Sequence, residues 1–218
     1  MGHGLYCRRV ACPNGGAFFM TWKMKEVVLA VILSVACGVI YLGWSTLYLP
    51  ITALVGPAGG NIMFGIWVIA SPIVAYIIQK PGAALIAETA AAAVELLTGS
   101  HFGLSALLIG VCQGLGAEIA FALFGYKRYR MWTLMMSGAF AAVGAMTYSL
   151  IANGFGYYTP QVLLMTLVTQ VISGMLLGGC LAKVVVDALS KTGVLNQYAI
   201  MKEKRSKGDQ HGFISRVQ

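Results

Sequence analysis

Charge is what this sequence has least of. Asp, Glu, Lys and Arg together make up 10% of its 218 residues, where a soluble domain carries about 25%. So little charge cannot cover a water-facing surface, which excludes a soluble globular protein. Acidic residues are the rarest, seven against fifteen Lys and Arg. Catalytic signatures are missing as well. There is no HExxH and no GxxxxGK[ST], so neither a zinc protease of that type nor an ATP site is encoded. No glycine-framed serine and no second histidine within the apolar runs build a catalytic pair, and no enzyme activity is expected. Cysteine is sparse too. Cys37, Cys112 and Cys180 lie inside apolar runs and read as small packing residues. Cys7 and Cys12 form one loose pair with no second pair, so neither a disulfide nor a metal site is expected, and no cofactor is implied. The alternating ten-residue strands of a membrane barrel are absent.

What the sequence has is apolar length. Apolar residues make up 58% of the chain and the mean hydropathy is +0.78. That predicts an integral membrane protein with room for about six spans of about 20 residues. No space remains for a separate catalytic or nucleotide-binding domain, and the net charge of +8 reads as loop orientation rather than as nucleic-acid binding. Because a span in lipid must satisfy its own backbone, all of the spans are expected to be helices. The fold class expected is an all-α membrane protein, a six-transmembrane-helix bundle. The spans are placed at Val27 to Leu49, Asn61 to Gln79, Ala83 to Leu97, Leu104 to Phe124, Trp132 to Ala152 and Gln161 to Leu189. Residues 1–19 read as an extension outside the fold, residues 20–196 as the membrane domain and residues 197–218 as a basic cytoplasmic tail.

The third span rises only about 22 Å, short for a hydrocarbon core of about 30 Å. A re-entrant segment is the alternative, and the charge map argues against it. With six crossings, all fifteen basic residues fall on one side, including Lys80, Lys127, Arg128 and Arg130. The loops 50–60, 98–103 and 153–160 hold none. By the positive-inside rule, both termini are cytoplasmic.

The sixth span is long enough to project beyond the bilayer, and three of the seven acidic residues, Glu88, Glu95 and Glu118, lie within the membrane, where a carboxylate is costly and marks a ligand site, an ion path or a structural pair. Glu88 and Glu95 are two helical turns apart and share one face of the third helix, with Ala91 and Ala92 between them. Glu95 lies near the outer end and Glu88 nearer mid-depth. Both are candidate ligand contacts. The plainer alternative is a solvated Glu95 and a protonated packing Glu88. Glu118, in Gln113-Gly114-Leu115-Gly116-Ala117-Glu118, reads first as a structural or partner contact, with Lys127 and Arg128 nearby in sequence, and second as a ligand contact. Gln113 could serve a ligand or an interhelical bond. Outer span ends and loops are aromatic and polar: Tyr41, Trp44 and Tyr48, then Asn61, Phe64 and Trp67, then Ser100, His101 and Phe102, then Tyr148, Asn153 and Phe155. An interfacial belt explains most of these. Trp67 and Tyr148 lie deeper than a belt requires. Asn61 and His101 complete the candidate set. Carboxylates among aromatic faces suit an organic cation. On the first helix, Ala30, Ser34 and Gly38 form a small-xxx-small ridge, which serves docking of a partner helix or packing inside the bundle.

The runs Gly65-Ile66-Trp67, Lys80-Pro81-Gly82-Ala83-Ala84-Leu85-Ile86-Ala87-Glu88, Val94-Glu95-Leu96-Leu97 and Gln113-Gly114-Leu115-Gly116-Ala117-Glu118, with the ending Thr192-Gly193-Val194-Leu195-Asn196, resemble the YkoE family from about Met20 to Asn196. Those are S components, the substrate-binding subunits of energy-coupling factor (ECF) transporters for thiamine or its hydroxymethylpyrimidine precursor. The resemblance implies a bundle in a bacterial plasma membrane that captures thiamine from outside. It also implies docking onto a transmembrane coupling (T) subunit driven by ATPase subunits, with Ala30, Ser34 and Gly38 as the docking ridge. A solo proton-coupled carrier of organic cations using Glu88 or Glu118 is a second reading, and an intramembrane hydrolase a remote third.

Overall fold

The computed structural model describes residues 22–201. The extension 1–19, with Cys7 and Cys12, and nearly all of the basic tail lie outside the described residues. Within them the chain is helical: α1 (Met24–Gly60), a 3-10 helix (Asn61–Val68), α2 (Ala70–Ile78), α3 (Ala83–Leu97), α4 (Leu104–Leu123), α5 (Met131–Ala152), α6 (Pro160–Ser173), a π-helical stretch (Gly174–Cys180) and α7 (Leu181–Lys191). Five stretches are long and apolar enough to cross a membrane, and the second and sixth of the expected spans are composite. Asn61–Ile78 combines the 3-10 helix with α2, and Pro160–Lys191 combines α6, the π turn and α7. The sixth helix of the bundle is α3, with 15 residues.

Hydrogen bonds and ion pairs assign the two ends of the bundle. At one end Lys80, in the α2–α3 turn, pairs with Glu26 at the start of α1 at 2.6 Å. The Tyr198 hydroxyl donates to the Lys25 carbonyl at 3.1 Å. At the same end Gly82 N–H donates to Glu118, from the C-terminal half of α4, at 2.6 Å. At the other end Tyr48 near the end of α1, Phe102 between α3 and α4, and Asn153 after α5 line one cavity. Helix α3 therefore runs from one end to the other and is not re-entrant. The loops bearing Lys80, Lys127, Arg128 and Arg130 gather at the end away from the cavity.

Small residues set the helix spacing. A Cβ added at Gly110 would lie 2.3 Å from the Ala92 Cβ on α3, and one at Gly116 would lie 2.2 Å from the Phe140 carbonyl on α5. Glycines on alternating faces of α4 thus let both neighbours approach closely. The same count corrects the docking ridge. Ala30 and Ser34 are buried, and a Cβ on Gly38 would meet the Ala91 carbonyl and the Val94 Cβ, both at 2.6 Å. Ala30, Ser34 and Gly38 seat α1 within the bundle, Gly38 directly on α3. Small-xxx-small spacing reports that a helix comes close but not which one. The face of α1 that is exposed carries Val28, Val31, Ile32, Val35, Val39 and Ile40.

Three boundaries differ from the sequence expectation. Helix α1 continues past Leu49 to Gly60, with a break at Gly56 (φ 74°) that a residue with a side chain rarely adopts. The second span opens as a 3-10 helix rather than an α-helix. Leu195 and Ile200 are buried in the core, so packing runs past residue 196 into the stretch assigned to the tail.

Candidate functional site

A cavity of about 340 Å³ opens between α1, the 3-10 helix, α3, α4, α5 and α6. Its volume lies within the range of about 300–1,000 Å³ common to small-molecule sites. Glu95, Trp67, Gln113 and Asn61 all line it. So do Tyr41, Tyr48, Phe64, Phe102 and Asn153, and no Lys or Arg does.

Glu95 is the carboxylate of this cavity. It projects from the last turn of α3, is 3% exposed, and accepts the Ser100 hydroxyl at 3.1 Å. Around it, Trp67, Tyr48 and Phe102 make a three-ring cluster, with centroid separations of 5.2 Å for Tyr48–Trp67 and 6.0 Å for Trp67–Phe102 and edge-on geometry in both. The arrangement offers one carboxylate and several aromatic faces in one pocket. That suits a cation with flat ring character.

Glu88 occupies a different environment. It is fully buried and is not among the residues lining the cavity. It accepts the Tyr41 hydroxyl at 2.9 Å, the Ser71 hydroxyl at 2.7 Å and the Ser71 N–H at 3.0 Å. Tyr41 lines the cavity with its ring and takes the Ala70 N–H on its oxygen at 3.1 Å. Glu88 thus holds a wall of the site through Tyr41 and does not itself face the ligand space.

Glu118 is a helix cap. Its carboxylate accepts N–H groups of Gly82, Ala84 and Leu85 at 2.6, 3.1 and 3.3 Å, the orphan donors of the first turn of α3. Gly82 sits at φ 83°, which favours glycine at this turn. The Tyr126 hydroxyl adds a bond of 2.7 Å. Burial, and then the Glu118 carboxylate itself, push the Tyr126 phenol above its ordinary value, so it remains a donor. The contacts are backbone amides and a phenol rather than Lys127 or Arg128. Sequence proximity pointed to the cations, but the helix N-terminus supplies the positive end.

Two candidates fall outside the cavity. His101 is exposed, and its ring lies tilted against Phe102 with centroids 4.0 Å apart. Tyr148 is half-buried and reaches the site only through its hydroxyl, which donates to Ser105 at 3.3 Å. Gln170 on α6 was missed. It lines the cavity, and its Nε2 donates to Asn61 Oδ1 at 2.7 Å. The signal was available, because a glutamine inside an apolar span is costly for the same reason as Gln113. Ser173, one turn on, accepts the Gly65 N–H at 2.9 Å and donates to the Ile62 carbonyl at 2.5 Å. That ties the 3-10 helix to α6 and fixes Asn61 beside Gln170.

Comparison with known proteins agrees with this geometry. Residues 25–144 match the family described as "ABC-type cobalt transport system, permease component". The putative HMP/thiamine permease protein YkoE of Bacillus subtilis (strain 168) is 41% identical over 197 residues, spanning 89% of this chain and 99% of that protein. A crystal structure of an S-component of an ECF transporter superposes with a TM-score of 0.83 at 41% identity, covering 88% of this chain and 98% of the other. These proteins are transport subunits rather than enzymes, and this chain is likewise a multi-pass membrane bundle with a cavity among its helices. The chain belongs to the YkoE family of ECF-transporter S components.

Proposed function

We propose that the chain is the substrate-capturing membrane subunit of an ATP-driven vitamin importer, and that it takes thiamine or its hydroxymethylpyrimidine precursor from outside a bacterial plasma membrane. The observation that carries this reading is Glu95 among Trp67, Tyr48 and Phe102 in a cavity without basic residues. Thiamine has a permanently cationic thiazolium and a neutral aminopyrimidine. A carboxylate serves the cation or the exocyclic amine, and ring faces cover the cation, which is worth about 2 kcal/mol or more once water is excluded. The printed name of the YkoE relative, an HMP/thiamine permease, supports the same ligand class.

The cavity end faces outward in this reading, and both termini are cytoplasmic, because Lys80, Lys127, Arg128 and Arg130 gather at the opposite end. The sequence has no ATP-binding motif, so a transmembrane coupling subunit and ATPases supply the driving force. Cobalt, the cargo in the matched family's description, is disfavoured by the donor set. Among the described residues no group of three or more His, Cys, Asp or Glu comes together, whereas a bound divalent ion is usually held by several such ligands. The test is a titration of the purified full chain with thiamine, its phosphates, the free pyrimidine and Co²⁺, followed by intrinsic tryptophan fluorescence. Saturable binding of thiamine or the pyrimidine and none of Co²⁺ is expected. Saturation by Co²⁺ with no response to either organic ligand would overturn the reading.

A further inference from the structure

The cavity is chemically uneven along its depth. Glu95 lies two residues before the end of α3 at Leu97, about 3 Å along the axis. Gln113 lies nine residues into α4 from Leu104, which starts at the same end of the bundle, so it sits about 13 Å down. The outer level has the charge and the three-ring cluster. Gln113 is accompanied by Tyr41, Ile109 and Ala92 on the lining, and Tyr41 spends its hydroxyl on Glu88 and Ala70.

Gln113 is 5% exposed, and its side chain has no hydrogen-bond partner among the described residues. Neither amide atom is sealed off by protein, so what little surface it has opens on the cavity. The other three amides of the lining differ from it, because Asn61 and Gln170 bond to each other and Asn153 is exposed. A buried amide without partners is expensive to keep. It offers one donor and one acceptor side by side, the pattern with which Gln and Asn grip the amino-plus-ring-nitrogen edge of adenine. A 4-aminopyrimidine presents the same edge.

We propose that Gln113 is the specificity-determining residue for the pyrimidine half of the substrate. Its carbonyl accepts from the exocyclic amine and its amide N–H donates to the adjacent ring nitrogen, so the neutral ring enters first and the cationic ring stays at the Glu95 level. This rests on the proposed ligand class and adds to it a direction of entry and a division of labour.

The experiment crosses two variants with two ligands on the purified full chain. Gln113→Leu removes both bonds to the pyrimidine and is expected to weaken thiamine and free hydroxymethylpyrimidine by the same factor, about ten- to a hundredfold. Glu95→Gln is expected to weaken thiamine about tenfold or more and the uncharged pyrimidine less than about twofold. A Gln113→Leu variant that loses thiamine but keeps the free pyrimidine, or that loses neither, overturns the assignment while leaving the ligand class intact. A parent protein that binds neither ligand overturns both. If the free ring binds too weakly to titrate, or Gln113→Leu does not fold, thiamine lacking its 4-amino group makes the test on the parent. It should bind about tenfold or more weaker than thiamine, and equal binding overturns the assignment.

Discussion

Three carboxylates, Glu88, Glu95 and Glu118, divide the molecule into two regions. At the end bearing Lys80 and in the middle, Glu118 and Glu88 are saturated. Glu118 takes three backbone N–H groups and a phenol, and Glu88 takes two hydroxyls and an N–H. At the cavity end Glu95 accepts a single serine hydroxyl and lines the cavity. The same residue type therefore does opposite work. Where donors converge, the carboxylate fixes one helix on another. Where donors are few and aromatic faces surround it, the carboxylate lines a cavity. Residue type and membrane depth alone do not separate the cases, but the number of donors does.

The sharpest way to break the comparison is at Glu118. Glu118→Ala orphans the first turn of α3 and should destabilise the fold by about 3 kcal/mol or more. Thermal unfolding in detergent measures the loss. A variant as stable as the parent would show that the cap is dispensable and that the two regions do not differ as described. Next comes Gly38→Leu, which drives α1 off Ala91 and Val94 and should cost about 1–3 kcal/mol of stability. A fully stable Gly38→Leu protein with uptake lost would return the ridge to an external docking role. Trp67→Ala should leave the fold in place and weaken thiamine binding by about tenfold, through lost ring-face contact. Calorimetric titration distinguishes that from no change. The smallest effect is expected at His101, whose exposed ring lies outside the cavity. His101→Ala should shift the dissociation constant by less than about twofold, and a tenfold loss would extend the outer region into the loop.

Much of this was legible in the sequence, and the physical reasons are specific. Spans were readable because lipid leaves the backbone few choices. The crossing of α3, too short by length, was recovered from Lys80, Lys127, Arg128 and Arg130. Glu95, Trp67, Gln113 and Asn61 were picked out as candidates because polar and aromatic side chains at depth are conspicuous, and all four line the cavity. What stayed hidden depends on rotation about helix axes. Glu88 and Glu95 share a face in sequence, yet one points to Tyr41 and Ser71 and the other to the cavity. The ridge at Ala30, Ser34 and Gly38 could not say which helix it meets. The π turn at Gly174–Cys180 and the 3-10 start of the second span leave no trace in an apolar run, because hydropathy is blind to hydrogen-bond register.

The central claim is that Glu95 meets the substrate while Glu88 and Glu118 build the frame. It is tested most directly by titrating thiamine into Glu95→Gln, a nearly isosteric change that removes the charge and keeps the volume. A charge-assisted contact contributes about 1.5–3 kcal/mol, so the folded variant should bind about ten- to a hundredfold more weakly, with its unfolding temperature within a few degrees of the parent. A folded Glu95→Gln protein that binds thiamine as tightly as the parent would contradict the account.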